Sequence, residues 1–433
     1  MIAALSDEIR TRYSRAASLG GNWWAPQTGG PVDDLVDPQA APEGGSLATL
    51  QDAVNAAIRA GGTAPRRIRL APGFHEGPVI IPPEAPPLVI EGPGAARATL
   101  AAGIDAMMPG EEFRRRYWPR FARAPLPVAE EAARRAARTR IGTGHSAVLT
   151  VARSDVALRG FTIRNDYSCD RPDAAPEGAE PDATGRYAQG QHQAVALQSR
   201  GADRLALHDM TLESFQDTLY LAAAPDGRPA RTALTGCIIS GDVDFIFGGG
   251  TAHFRTCEIR TRGARGARSW AAAPSTAIRE PFGFIFESCR FTHDGAPFGR
   301  DGQPGPDGRP RAFLARQWFE GVRATPYGAP SLPGYATRLS DRNRLDGQAG
   351  EIRRETLEAV GKCILIAPRL GAHLSPDALW DAWSGPGWSP RFRPAQHSAA
   401  EFLSALGPWL RAEGLDYADL DPADPWLAVY LSV

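Results

Sequence analysis

The sequence predicts an all-β protein, a parallel β-solenoid, and three observations carry that prediction. Five segments, residues 156–163, 205–212, 232–239, 252–259 and 284–291, repeat one alternating pattern with a small or apolar residue after the second outward position. Alternation of period two marks a strand. The copies recur at intervals of roughly twenty to thirty residues, as the coils of a solenoid do. Glycine and proline are abundant, at 46 and 38 residues, which suits many short strands joined by tight turns. A β-sandwich could carry such alternation by chance, but five recurrences of the same columns favour the solenoid.

Residues 1–45 are expected as an N-terminal extension. Residues 46–60 carry Leu47, Leu50, Val54 and Ile58 at helical spacing and should form a helix that closes the open end of the solenoid. Residues 68–70 and 79–81 read as the first strands. A charged, helix-prone stretch, 107–140, interrupts the coils within an insertion of about 103–145 and is expected on the surface. The repeats follow, broken by Pro/Gly/Asp-rich loops at 170–186 and 301–311. Residues 399–433 read as a C-terminal helical cap. The body, 46–398, is one domain despite its length, because a solenoid grows as one unit.

Apolar content of 43% and charged content of 22% are ordinary for a soluble globular protein. A net charge of −1 argues against nucleic-acid binding, which needs a basic footprint. Lys362 is the sole lysine, a trait of genome composition rather than function. No apolar run is long enough to span a membrane. Residues 1–20 hold no stretch like the core of a signal peptide, so the protein is expected either to stay inside the cell or to have its export signal outside this chain. Five cysteines include no Cys-x-x-Cys pair and the histidines are scattered, which argues against a zinc site.

Equivalent positions on successive coils lie about 4.8 Å apart. Phe161, Met210, Cys237, Cys257 and Cys289 should therefore form an inward stack. Cys237 and Cys257 fall on adjacent coils, where a disulfide and a pair of free thiols both fit the spacing. Three further strands, 193–197, 217–221 and 244–248, align Gln193, Asp217 and Asp244 in one column. Ala196, Tyr220 and Phe247 align in another. The odd offset between these columns puts both on one face only if the chain bends at the strand start. Gln216 adds a second amide at the coil edge.

Two carboxyls about 5 Å apart cannot both ionise cheaply, so one should keep its proton and the other its charge. The charged group can attack or act as base, and the protonated one can serve a leaving group. Amides beside them can stabilise an oxyanion. A single aspartate at a coil corner more commonly just bonds turn amides. Two in register, beside Gln193, Gln216 and two aromatic rings, point to catalysis. The pair also suits a retaining glycosidase, but the amides favour an ester, because a glycosidic bond cleaves without an oxyanion.

The runs 193–197 (QAVAL), 216–219 (QDTL) and 244–248 (DFIFG) resemble, in order and spacing, signatures of the pectin methylesterases. Those are carbohydrate esterases on a right-handed parallel β-helix. A fourth signature, Leu-Gly-Arg-Pro-Trp, stands here as Leu314-Ala315-Arg316-Gln317-Trp318. Weaker similarity runs from Leu47 to Glu76. The resemblance implies demethylation of galacturonate units in pectin or its oligomers. Asp244 would be the nucleophile, Asp217 the acid and then the base, and Gln193 and Gln216 the oxyanion donors. Arg316 would pair with Asp244, Trp318 would line the sugar cleft, and Tyr220 and Phe247 would enclose the methyl group. It implies no metal or organic cofactor, a monomer, an acidic polysaccharide partner and a secreted or cell-envelope location. The family's paired cysteines match Cys237 and Cys257. The insertions resemble the longer bacterial branch, which includes acyl-CoA thioesterases. Ala315 and Gln317 depart from the signature and are expected to enter the cleft wall. Alternatives are therefore another ester or thioester at the same site, or a β-helix that only binds acidic polysaccharide.

Overall fold

The computed structural model describes residues 1–21, 23, 30–39, 45–328, 336–383 and 390–432. Parts of the N-terminal extension, 22, 24–29 and 40–44, lie outside the described residues. The chain coils into three parallel sheets of eleven, eight and eight strands, each coil adding one strand to each sheet. One such coil runs through Leu205–His208, Thr211–Glu213 and Leu219–Ala222. The repeat columns stack in register. Leu158, Leu207, Leu234, Phe254 and Phe286 pair in succession and are buried. Each such side chain contributes about 1.5–3 kcal/mol by leaving water.

The small residue in the repeat pattern has a conformational reason. Asp209, Thr256 and Ser288 have φ of 52°, 52° and 54°, and Gly160 and Gly236 have φ of 64°. A left-handed residue there turns the chain from the first sheet into the second, a backbone that glycine adopts most freely. The next residue then points inward. Phe161, Met210, Cys237, Cys257 and Cys289 all occupy that buried stack, as expected.

The disulfide expectation is corrected. Cys237 and Cys257 are free thiols, as are the other three cysteines. Each turns its Sγ to a carbonyl two residues back in its own coil, Thr235 O and Arg255 O, both at 3.5 Å. The stack uses them as small core side chains.

The expected N-terminal helix forms over Leu50–Ala60 and is capped by Thr49, whose hydroxyl accepts from the Asp52 N–H. Gln51 closes the edge of the third sheet. Its Oε1 accepts from Ile80 N at 2.8 Å and its Nε2 donates to Ile80 O at 3.3 Å. Two described strands of the N-terminal extension join the solenoid, one at each end. Ile2–Ala4 pairs with Leu427–Leu431 at one edge of the eleven-stranded sheet, and Asp34–Val36 pairs with Arg66–Leu70 at the other.

The insertion is not confined to the surface. Its helices, Gly110–Phe121 and Leu126–Ala136, bury Phe113, Phe121, Val128 and Ala132 in the main core. Those residues share faces at spacings of four and eight, so the charged residues cover only the outer face. A C-terminal helix, Ala399–Ala412, packs Phe402 against Trp426 in a second core. A small three-stranded sheet, Ala336–Ser340, Arg344–Asp346 and Ala349–Arg353, was not legible in the repeat pattern. No helix among the described residues is long and apolar enough to cross a membrane.

Coil packing is tight where Gly248 leaves the third sheet with φ 124°. A Cβ there would lie 2.1 Å from Leu221 O. Gly248→Ala is therefore expected to cost about 3 kcal/mol or more. A thermal melt within a degree of the parent protein would contradict this.

Candidate active site

The bend that the column argument required is present. Asp217 and Asp244 both adopt left-handed backbone, with φ of 67° and 50°, at the corner leading into the third sheet. Aspartate tolerates that conformation better than most residues. Asp217 N donates to Val243 O at 3.0 Å, and Leu219 pairs with Ile246 two residues on. The two aspartates thus occupy equivalent places on adjacent coils, one strand spacing apart.

The third member of the column is corrected. Gln193 bridges to Gln216, not to Asp217. Gln198, not Ala196, pairs with Tyr220, and Ala196 lies buried in the core. Between the Gln193–Gln216 bridge and the Leu197–Leu219 pair the Gln193 coil holds one residue more than its neighbour. The N–H groups of Ala196 and Leu197 both donate to Thr218 O, at 2.9 and 3.2 Å, the mark of a bulge. The bridge sets the two glutamine amides side by side next to the aspartates. Gln193 Oε1 is buried without a hydrogen-bond partner among the described residues.

The aspartates differ in electrostatics. Arg316 grips Asp244 through two parallel bonds, Nε–Oδ1 at 2.8 Å and Nη2–Oδ2 at 2.7 Å. Asp217 has no such clamp. It is 7% exposed, and its carboxyl is pushed well above the ordinary range, first by burial and then by the charge of Asp244. Nearby, Asp242 accepts two buried hydrogen bonds from Arg265, at 2.8 and 2.7 Å, and one from Val243 N, pinning the turn before Asp244.

Tyr220 and Phe247 stack with ring centres 4.3 Å apart and an interplanar angle of 8°. Trp318 meets them edge-on, 6.5 and 5.6 Å away. Tyr220 Oη donates to Glu320 at 3.2 Å. Gln193, Gln216, Asp217, Tyr220, Asp244, Phe247, Arg316 and Trp318 all line one cavity of about 330 Å³. The expected site residues are therefore gathered in one place.

Thr143, Gly144, Ala273 and Trp383 complete the cavity and escaped the sequence reading. Thr143 and Gly144 lie at the end of the insertion, and Trp383 lies beyond the last repeat, so no aligned copy pointed to them. Ala315 and Gln317 do not enter the cleft wall, contrary to expectation. On a strand the neighbours of outward Arg316 face the other way. Ala315 is buried in the core. Gln317 is buried too, with Nε2 donating to Gly361 O and Gln396 O and Oε1 accepting from Gln396 N. It ties the site strand to the C-terminal segment. Among the described residues, no group of three or more His, Cys, Asp or Glu could hold a metal ion.

The Pectinesterase family model matches residues 185–321, a span that contains every expected site residue. Pectinesterase B of Dickeya dadantii (strain 3937) is 30% identical over 314 residues, covering 69% of this chain and 65% of that relative. The chain thus spans just under two thirds of that relative's length. Pectinesterase B of Pectobacterium parmentieri is 30% identical over 309 residues, covering 68% and 70% of the two chains. The structure of rice weevil pectin methyl esterase superposes with a TM-score of 0.67 and 23% identity over 91% of this chain and 92% of that one. That likeness shows the shared parallel β-helix.

Proposed function

The chain belongs to the pectinesterase family, and from that premise we propose that it hydrolyses the methyl esters of galacturonate units in pectin or its oligomers. The observation that carries this reading is the asymmetry of the aspartate pair. Both are buried, but one is clamped by a guanidinium while its neighbour has no such partner and is drawn toward its protonated form.

In this reading Asp244 attacks the ester carbonyl carbon and a new C–O bond forms. The carbonyl oxygen takes up charge and is held by the amide N–H groups of Gln193 and Gln216. Collapse of this intermediate breaks the bond to methoxide, which leaves as methanol with the proton of Asp217. Asp217, now charged, takes a proton from water. The resulting hydroxide attacks the acyl-enzyme, releasing the galacturonate carboxyl and regenerating Asp244. Arg316 orients Asp244 for the attack through its two parallel hydrogen bonds. Trp318, Tyr220 and Phe247 offer faces to the sugar and its methyl group.

Because Ala315 and Gln317 point away from the cavity, they no longer argue for a different substrate. Methanol release from methyl-esterified oligogalacturonide tests the proposal, with acetylated sugars and acyl-CoA assayed beside it. Methanol should appear, and new reducing ends should not. Turnover of acetyl esters or acyl-CoA without methanol release would overturn the substrate assignment.

A further inference from the structure

The guanidinium that clamps Asp244 is itself held from behind, by residues outside the reaction scheme. Arg316 Cζ lies 3.7 Å from the ring centre of Trp270 and 4.7 Å from that of Trp383. Two indole faces therefore bracket the planar cation. Arginine stacks on aromatic faces as a flat, weakly hydrated ion, so such a slot fixes its plane as well as its position. The plane matters here, because both bonds to Asp244 require the guanidinium and the carboxylate to be coplanar.

The nearer indole is fixed in turn. Trp270 Nε1 donates to Asp381 Oδ2 at 3.0 Å. Asp381 is nearly buried and is gripped by Arg309, whose Nη2 reaches Oδ1 at 2.7 Å and Oδ2 at 2.8 Å. Its Oδ1 also accepts from Ala382 N at 2.9 Å. Asp381 pairs in register with Arg316 on the neighbouring strand, and Trp270 stacks on Phe313 at an interplanar angle of 7°. These contacts form one connected chain: Arg309, Asp381, Trp270, Arg316, Asp244. Its outer end lies in the loop 301–311, which the sequence offered only as a decoration.

We propose that Asp381 is a positioning residue for the ester hydrolysis: by fixing the Trp270 indole, with Arg309 fixing Asp381, it holds Arg316 in the plane that clamps the nucleophile. The proposal rests on the esterase reading for its effect on rate. Its geometric part stands without that reading. A misplaced reacting group costs rate more than binding.

The test compares Asp381→Leu, which removes the acceptor, with Asp381→Asn, which keeps an oxygen for the Trp270 N–H. Two readouts are taken on the full chain. One is the ¹⁵N-edited NMR signal of the Arg316 Nε–H, assigned with Arg316→Lys and displaced by the ring currents of the two indoles. The other is kcat and KM for methanol release. Asp381→Leu should move the NMR signal and lower kcat roughly 10- to 100-fold with KM within about threefold. Asp381→Asn should stay close to the parent protein in both readouts.

An unmoved Arg316 signal and an unchanged kcat in Asp381→Leu would overturn the proposal, as would an Asn variant that behaves like the Leu variant. If Asp381→Leu does not fold, Arg309→Leu decides by the same two readouts. It releases Asp381 without altering either indole, so movement supports the proposal and no movement overturns it. If the parent protein releases no methanol while the Arg316 signal still responds, the esterase reading fails and the positioning role stands.

Discussion

Asp244→Ala is expected to lower methanol release by more than about 10⁴-fold, the scale at which removal of a nucleophile leaves only binding and oxyanion stabilisation. The loss should fall on kcat, because Asp244 is assigned to bond making and not to holding the sugar. The fold should survive. The coil is held by register pairing through Leu219 and Ile246 and by the buried Asp242–Arg265 pair, and neither needs the Asp244 side chain. Arg316 would lose its partner but keep its slot between Trp270 and Trp383. Circular dichroism and a thermal melt would separate a dead site from a lost fold. An Asp244→Ala protein with a tenth of parent activity would remove the nucleophile assignment.

The second large effect is expected at Asp217, and it has two parts of opposite sign. Asp217→Asn should cut methanol release by about 10²- to 10⁴-fold, since an amide cannot give a proton to methoxide or take one from water. The same change should stabilise the protein at neutral pH. In the folded chain the carboxyl is raised well above its ordinary value of 3.8, by burial and by Asp244. The folded state therefore holds this proton more tightly than the unfolded state. Below the unfolded value both states are protonated, and Asp217 does not weaken the fold. As pH rises from there toward the folded value, the unfolded chain releases its proton while the folded one retains it, and stability is lost. Asparagine has no proton to release. The melting temperature of Asp217→Asn should therefore match the parent near pH 3 and move above it as pH rises, approaching a constant gap beyond the raised value. A variant that melts below the parent at pH 7 would contradict the assignment of Asp217 as the proton-holding member. In the parent enzyme the same titration should appear as the alkaline limb of activity.

How much of this was legible in the sequence follows from what a repeat encodes. Coils stack by simple translation, so columns of equivalent residues become neighbours in space without knowledge of the rest of the fold. For that reason the inward stack of Phe161, Met210, Cys237, Cys257 and Cys289, the adjacency of Asp217 and Asp244, and the stacked rings of Tyr220 and Phe247 could all be read in advance. The family signatures then brought Arg316 to Asp244 across 72 residues of sequence, which translation alone could not do.

The rest depended on breaks in the translation. Gln193 pairs with Gln216 rather than Asp217, and a bulge just after it shifts the register once more, so that Gln198 and not Ala196 stands beside Tyr220. A bulge is a local hydrogen-bonding event and leaves no trace in period-two alternation. Whether Cys237 and Cys257 were bonded was open on spacing, and the orientation of each Sγ toward its own coil decided it. Trp383, Asp381 and Arg309 lie in segments without an aligned copy, so only folding brought them behind Arg316. The sequence by itself determined the solenoid, the adjacency of its repeat columns and the chemical groups of the site, because those follow from local periodicity repeated along one axis. Tertiary structure alone decided the register of the Gln193 coil and what holds the Arg316 clamp, because bulges and stacking depend on contacts between distant segments.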